Sequence, residues 1–155
     1  MIRLKALLAG GVLAAALVGV TGAGARAADP ANPELAQAIA DWYAQGGSKH
    51  LNALGKDFSQ VAKAATATDI PGVSAACTAL GGDVTKAQKY RAMPDAEAQK
   101  HWSAALVLYA KGAHDCVDGA DHVDATKMNK SNDEITQGSK ELNLTTTRVK
   151  EILGR

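Results

Sequence analysis

The sequence predicts an all-α protein: an up-down-up-down four-helix bundle with one inter-helix disulfide, preceded by a signal peptide. Apolar residues recur at steps of three and four in four successive segments, which is the spacing of one helix face. No segment after the N-terminal region shows the sustained alternation that is typical of a β-strand. The chain also contains two cysteines, which is the number needed for a single crosslink.

The first 27 residues contain the three parts of a secretory signal in order. Arg3 and Lys5 supply positive charge, residues 6–20 form an apolar run, and Ala25-Arg26-Ala27 is an A-x-A cleavage pattern. A retained membrane anchor is less favoured, because an uninterrupted membrane helix needs about 20 apolar residues. We therefore expect a signal peptide at residues 1–27, an extended lead-in at 28–33 and the four-helix bundle domain at 34–153.

The first helix is expected to begin at Pro33, with Asn32 as its N-cap. The pair Gly46 and Gly47 shifts the phase of the apolar face, so we expect a kink or a short break there. The face on both sides of this pair consists of Leu35, Ile39, Trp42, Leu51, Leu54, Phe58, Val61 and Ala65.

The second helix is expected to follow Asp69 and to end before Pro94, since the residue before a proline is disfavoured in a helix. Asp95 is then a suitable N-cap for the third helix, which Asp118 and Gly119 are expected to stop. The apolar faces of these two helices consist of Val73, Cys77, Leu80, Val84 and Ala87, and of Trp102, Leu106, Tyr109, Ala113 and Cys116.

The fourth helix is expected to open near Asp121. One apolar residue in every seven forms its expected seam, namely Met128, Ile135, Leu142 and Val149. Ser131, Gly138 and Thr145 are poor helix formers within this segment. We therefore expect this helix to be the least stable of the four, with a fraying tail.

Cys77 and Cys116 are expected to pair, because thiols oxidise outside the cell and two cysteines allow one intramolecular bridge. A short turn between the second and third helices would leave the two cysteines about 10 Å apart along the helix axes. An extended run at residues 91–95 that continues past the end of the second helix would remove this mismatch. We predict such an overshoot. Two free thiols are the less favoured alternative.

Composition argues against some partners. Without residues 1–27 the chain has 14 Lys+Arg and 16 Asp+Glu, a formal charge of −2. Charges of both signs are interspersed, so we expect no nucleic-acid partner and no stable membrane anchor after signal cleavage.

Several residues resemble a pattern in uncharacterised small exported helical proteins of actinobacteria: a cysteine helix, a Pro-Asp turn and a tryptophan helix that closes on a second cysteine. The matching residues are Ala76-Cys77, Leu80, Asp83-Val84, Pro94-Asp95, Trp102, Ala105-Leu106 and Cys116. The resemblance covers about residues 42–153. It implies a secreted disulfide bundle and no particular substrate, cofactor or catalytic residue.

The densest polar cluster surrounds the end of the third helix. Imidazole and carboxylate groups are good metal ligands, and the candidates are His114, Asp118, Asp121 and His122. Their spacing fits neither a calcium-binding loop nor an H-E-x-x-H zinc motif. The favoured interpretation is that these residues end one helix and begin the next.

Other chemistry is less favoured. No C-x-x-C-H motif is present for covalent haem, and the candidates for non-covalent haem are His101, His114, Met93 and Met128. Trp42, Trp102 and Tyr109 could line a ligand cleft, but aromatic residues at helical spacing are more often core. His50 has no close partner in sequence for nucleophilic work, and no nucleophile-elbow or nucleotide-binding motif is present.

We therefore expect an exported, non-enzymatic binding protein of the cell envelope or extracellular space, with no cofactor. Its expected partner is an unidentified protein or envelope component. The alternative is a carrier of haem, metal or a small apolar ligand inside the bundle.

Overall fold

The computed structural model describes residues 32–154. They form α1 (Pro33–Trp42), α2 (Ser48–Thr66), α3 (Ile70–Lys89), α4 (Ala96–Asp121) and α5 (Ala125–Ile152). A π-helical turn at Tyr43–Gly47 joins α1 to α2, so these two helices form one bent arm. With α3, α4 and α5 this arm gives the predicted all-α, up-down-up-down four-helix bundle, and no described residue lies in a strand.

Two of the predicted regions lie largely outside the described residues. The signal peptide at residues 1–27 and the lead-in up to residue 31 are not part of the described range. Within residues 32–154, no helix is both long enough and apolar enough to cross a bilayer.

Short polar residues begin the helices, as the sequence predicts for three of them. Asn32 accepts a hydrogen bond from the Leu35 amide at 3.0 Å, and Pro33 is the first residue of α1. Side-chain oxygens of Asp69 and Asp95 accept from the amides three residues onward, at 3.0 and 2.8 Å. These contacts satisfy amides that have no partner within the helix.

The predicted kink lies at Gly46, whose φ of 147° only glycine adopts readily. The Tyr90 hydroxyl donates to the carbonyl oxygen of Trp42, just before the π-helical turn, at 3.2 Å. Trp42 Nε1 donates in turn to the Arg91 carbonyl at 2.9 Å. The bend in the first arm is therefore fixed by the connector between α3 and α4.

Aromatic side chains fill the space between the helices. The rings of Trp42 and Trp102 meet edge to face with centroids 6.0 Å apart, and Phe58 meets Tyr109 at 4.9 Å. Trp42, Trp102 and Tyr109 are each at most 2% exposed. These three residues therefore belong to the core, as their helical spacing had favoured, rather than to a ligand cleft.

The predicted disulfide joins α3 to α4 with the Cα atoms of Cys77 and Cys116 6.0 Å apart. Both cysteines are buried, in a small second cluster with Val73 and Ala120. The connector at residues 90–95 is not helical, and its ends, Tyr90 and Asp95, are extended. The predicted overshoot between the two helices is confirmed.

The boundary between the last two helices differs from the prediction. Asp118 and Gly119 do not stop α4, which continues to Asp121, and Asp124 rather than Asp121 caps α5. The chain reverses at Val123, whose φ is 52°, and the Asp124 amide donates to the Gly119 carbonyl at 2.8 Å. This is a Schellman turn with a β-branched residue in the position that glycine usually occupies, so the sequence carries no glycine signal there.

The seam between α4 and α5 is made of small residues. Ser131, Gly138 and Thr145 are buried in it, whereas Ile135 and Leu142 are only partly buried. The poor helix formers of α5 are therefore the residues that let it approach α4, and α5 is helical without interruption. Ser131 Oγ donates to the Gly112 carbonyl at 2.7 Å across this seam.

Candidate functional site on α4

The four predicted ligand candidates come together on one surface. His114, Asp118, Asp121 and His122 all line an open depression of about 520 Å³ between α3 and α4. The depression exists because small side chains of both helices do not fill the space between them. Its remaining lining residues are Cys77, Thr78, Gly81, Ala110, Ala113 and Val117.

A second open depression of about 550 Å³ lies on the other side of α4, towards α5. Its lining residues are Ala110, Lys111, His114, Asp115, Lys130 and Glu134. Both depressions are bordered by Ala110 and His114 of α4, and we call the two together the α4 trough. It has apolar small residues along α4 and charged groups of both signs at its edges.

Two of the candidate carboxylates are engaged within the protein. Lys127 Nζ lies 3.1 Å from Asp118, and this contact holds the pKa of Asp118 below its usual range. Asp121 accepts a hydrogen bond from the Ser74 hydroxyl at 2.6 Å. In residues 32–154, no three or more His, Cys, Asp and Glu side chains are arranged to hold a metal ion.

The two histidines are exposed. His122 Nδ1 lies 2.9 Å from the carbonyl oxygen of Asp118 and 3.0 Å from its carboxylate. The carbonyl contact, with the carboxylate charge in addition, raises the pKa of His122. The side chain of His114 is 79% exposed, so it projects from the α4 trough where a partner can reach it.

Asp115 anchors the start of α5 on α4. Its side chain is only 5% exposed, and the ammonium groups of Lys130 and Lys127 lie 2.6 and 3.2 Å from its carboxylate. The contact with Lys130, followed by that with Lys127, lowers the pKa of Asp115 to about 2. This carboxylate therefore stays ionised and holds two helices together.

Glu134 differs from the other carboxylates of the trough. Its side chain is 12% exposed, and Lys130 Nζ lies 3.7 Å from Oε1, which is beyond hydrogen-bonding distance. Its Oε2 is buried and accepts no hydrogen bond within the described part of the chain. A buried carboxylate oxygen without a donor is costly.

The haem-ligand candidates occupy separate environments. His101 Nδ1 lies 2.6 Å from the Glu141 carboxylate and so links α4 to α5. Met93 is buried with the tryptophans, Met128 packs beside the disulfide, and His114 is on the surface.

A carboxyl pair between α2 and α3 was missed by reasoning from the sequence. Asp57 is 6% exposed, and its carboxyl lies within hydrogen-bonding range of Asp83. The rings of His50 and Tyr90 contact each other at an interplanar angle of 48°, with centroids 4.8 Å apart, one heptad along the same interface. The available signal was the spacing: His50 precedes Asp57 by seven residues, and Tyr90 follows Asp83 by seven. On antiparallel helices, equal spacing lets Asp57 face Asp83 and His50 face Tyr90.

Comparisons with known proteins add no family. No protein-family model, no curated protein and no solved structure matches the chain. The helical fold and the Cys77–Cys116 bridge are the parts of the actinobacterial resemblance that the structure contains.

Proposed function

We propose that this protein is an exported, non-enzymatic binding protein of the cell envelope or extracellular space, and that the α4 trough contacts its partner. The observation that carries the proposal is the trough itself: two open depressions, of about 520 and 550 Å³, that border Ala110 and His114 from the two sides of α4. The partner is a protein or another macromolecular component of the envelope.

The shape of the trough favours a macromolecule over a small ligand. Small-molecule sites usually enclose most of the ligand surface, whereas both depressions are open to solvent. The interior is occupied by core aromatic residues such as Trp42 and Tyr109. An extended segment of a partner could lie along the trough and contact its small apolar residues and its charged edges together.

Glu134 supplies a polar contact for such a segment. Its side chain is 12% exposed at the trough, and Lys130 Nζ lies 3.7 Å from Oε1, so a basic side chain or a backbone amide of the partner would donate to the accessible part of this carboxylate. A partner that covered this carboxylate without donating a hydrogen bond to it would incur the free energy of desolvating it. The contact would therefore contribute to specificity.

The disulfide supports the proposed location outside the cytosol. Bridges such as Cys77–Cys116 form and persist in oxidising compartments outside the cytosol. Export by means of the predicted signal peptide at residues 1–27 would deliver the chain to such a compartment.

The second candidate function is a carrier of haem, metal or a small apolar ligand. The convergence of His114, Asp118, Asp121 and His122 on one depression favours it over an enzyme. The existing contacts of Asp118 with Lys127 and of Asp121 with Ser74 weigh against it. An absorption spectrum and a metal analysis of natively purified protein distinguish the two functions: a Soret band, or stoichiometric metal that is lost in His114→Ala, would establish the carrier.

Site-specific photo-crosslinking in the producing cell tests the binding proposal. A photoreactive residue is placed at Lys111 or at His114 in the trough, and at Gln60 on the exposed face of α2 as the matched control. We expect one reproducible adduct from both trough positions, none from Gln60, and a weaker adduct when Glu134→Gln is added. Equal labelling from all three positions, or no adduct from the trough, would contradict the proposal.

A further inference from the structure

The contact between α2 and α3 contains two carboxyl groups, and only one of them accepts a hydrogen bond from a lysine of the described chain. Asp57 is 6% exposed, its Oδ2 is fully buried, and no described residue donates a hydrogen bond to that oxygen. Facing it is Asp83 of α3, whose Oδ1 accepts from Lys86 Nζ at 2.5 Å. Lys86 thus satisfies Asp83, and Asp57 is left with a neighbouring carboxylate as its hydrogen-bonding partner.

Two adjacent carboxylates with one bound ammonium group are most stable when they hold one proton between them. Burial, and then the negative charge of Asp83, raises the pKa of Asp57. The hydrogen bond from Lys86 lowers the pKa of Asp83. Because Lys86 already donates to Asp83 whereas Asp57 is buried and binds no cation among the described residues, the shared proton resides on Asp57 and is donated to Asp83.

The charged groups that act on this pair come from the two helices that form the contact. Lys56 and His50 belong to α2, and Lys86 belongs to α3. Lys56 and Lys86 favour ionised Asp57, but burial and Asp83 oppose them with the larger effect.

We propose that the Asp57–Asp83 pair is an acid-dependent latch, in which one shared proton holds α2 against α3 and its loss loosens that contact. The location of the pair determines what moves. The Cys77–Cys116 bridge ties α3 to α4, and the small-residue seam holds α4 to α5. Within residues 32–154 no disulfide ties α2 to another helix, so loosening is confined to the arm formed by α1 and α2.

The direction of the pH effect follows from linkage. A carboxyl whose pKa is raised in the folded state binds its proton more tightly when folded than when unfolded. The stability of the α2–α3 contact is therefore greatest at acidic pH. It falls as the pH rises from the ordinary carboxyl range through the raised pKa of Asp57, and it remains low above that value.

Native-state hydrogen exchange of the whole protein, read by peptide mass spectrometry, tests the latch. After correction for intrinsic exchange rates, we expect α2 peptides to be protected about tenfold more at about pH 4 than at about pH 7.5, with α4 and α5 peptides changed less. Asp57→Asn donates to Asp83 at every pH, so it should keep α2 protected at the higher pH. Asp133→Asn, an exposed change on α5, is the matched control and should behave like the wild type.

Two results would overturn the latch: protection of α2 that is unchanged or rises with pH, or an Asp57→Asn variant with the same pH profile as the wild type. Carboxyl titration of the wild-type protein by NMR applies even if the variant does not fold. We expect Asp57 to titrate at a higher pH than Asp83, and the reverse order would also exclude the latch.

Discussion

Gly138 of α5 lies against the ring of Tyr109 of α4, so closely that a methyl group on Gly138 would come within 2.6 Å of Tyr109 Cε1. Tyr109 is almost completely buried and also contacts Phe58 of α2. The position of α5 therefore depends on a residue that has no side chain, and a change there reaches three helices.

Gly138→Ala is expected to destabilise the protein by about 2 kcal/mol, because added atoms in a close-packed seam force side chains or the backbone to shift. Urea unfolding measures the change. Gly82→Ala on α3 is the matched control: a methyl group there meets nothing within 4 Å, so helix propensity alone should stabilise the variant by up to about 1 kcal/mol. A neutral or stabilising Gly138→Ala would mean that the seam is looser than described.

Asp115→Asn is expected to cost about 1 to 2 kcal/mol near neutral pH. The folded-state pKa of Asp115 is about 2, below the usual carboxyl value of about 4. Its stabilising effect is thus fully present above about pH 4 and is lost as the pH falls towards 2. The magnitude is discounted because Lys130 is 60% exposed and solvent screens the pair.

Denaturant unfolding at several pH values checks this prediction. The difference between wild type and Asp115→Asn should shrink steadily below about pH 4. A difference that is the same at pH 7 and at about pH 2 would show that the loss comes from packing rather than from the ion pairs.

Val123→Gly is expected to stabilise the protein by about 0.5 to 1 kcal/mol. Val123 has a φ of 52° and is 69% exposed, so glycine relieves the backbone strain and removes little buried surface. Thermal unfolding measures the gain. Val107→Gly, at a 49% exposed position inside α4, is the control and should lower stability by about 0.5 kcal/mol through the loss of helix propensity, and further through the loss of side-chain contacts. If both variants are destabilised equally, the turn is not strained.

Capping residues and prolines were sufficient to predict the caps at Asn32, Asp69 and Asp95, and two cysteines in a chain expected to be exported predicted the disulfide. Hydrophobic periodicity was sufficient to predict the fold class. It failed where two helices contact each other through residues that have a small side chain or none. Ser131 and Gly138 carry little apolar surface, so the pattern pointed to Ile135 and Leu142, which are only partly buried, and did not indicate the small residues. The end of α4, at the turn of Val123, could not be predicted from the sequence, because a β-branched residue is not expected at a positive φ.

The candidate site was predictable only in part. His114, Asp118, Asp121 and His122 are close in sequence and share a helix end, so their convergence could be anticipated. Lys130 and Glu134 join the trough through the register of α5 against α4, which the small-residue seam sets. Asp57 and Asp83 are 26 residues apart, and only the antiparallel register of α2 and α3 brings them together.

The proposed function requires that the chain is exported and oxidised, and non-reducing mass spectrometry of the protein from the producing cell's medium and envelope tests this most directly. The expected result is a mature chain that begins at Ala28, with a peptide that links Cys77 to Cys116. An intact N-terminus together with two alkylatable thiols, in protein recovered from the cytosol, would contradict it.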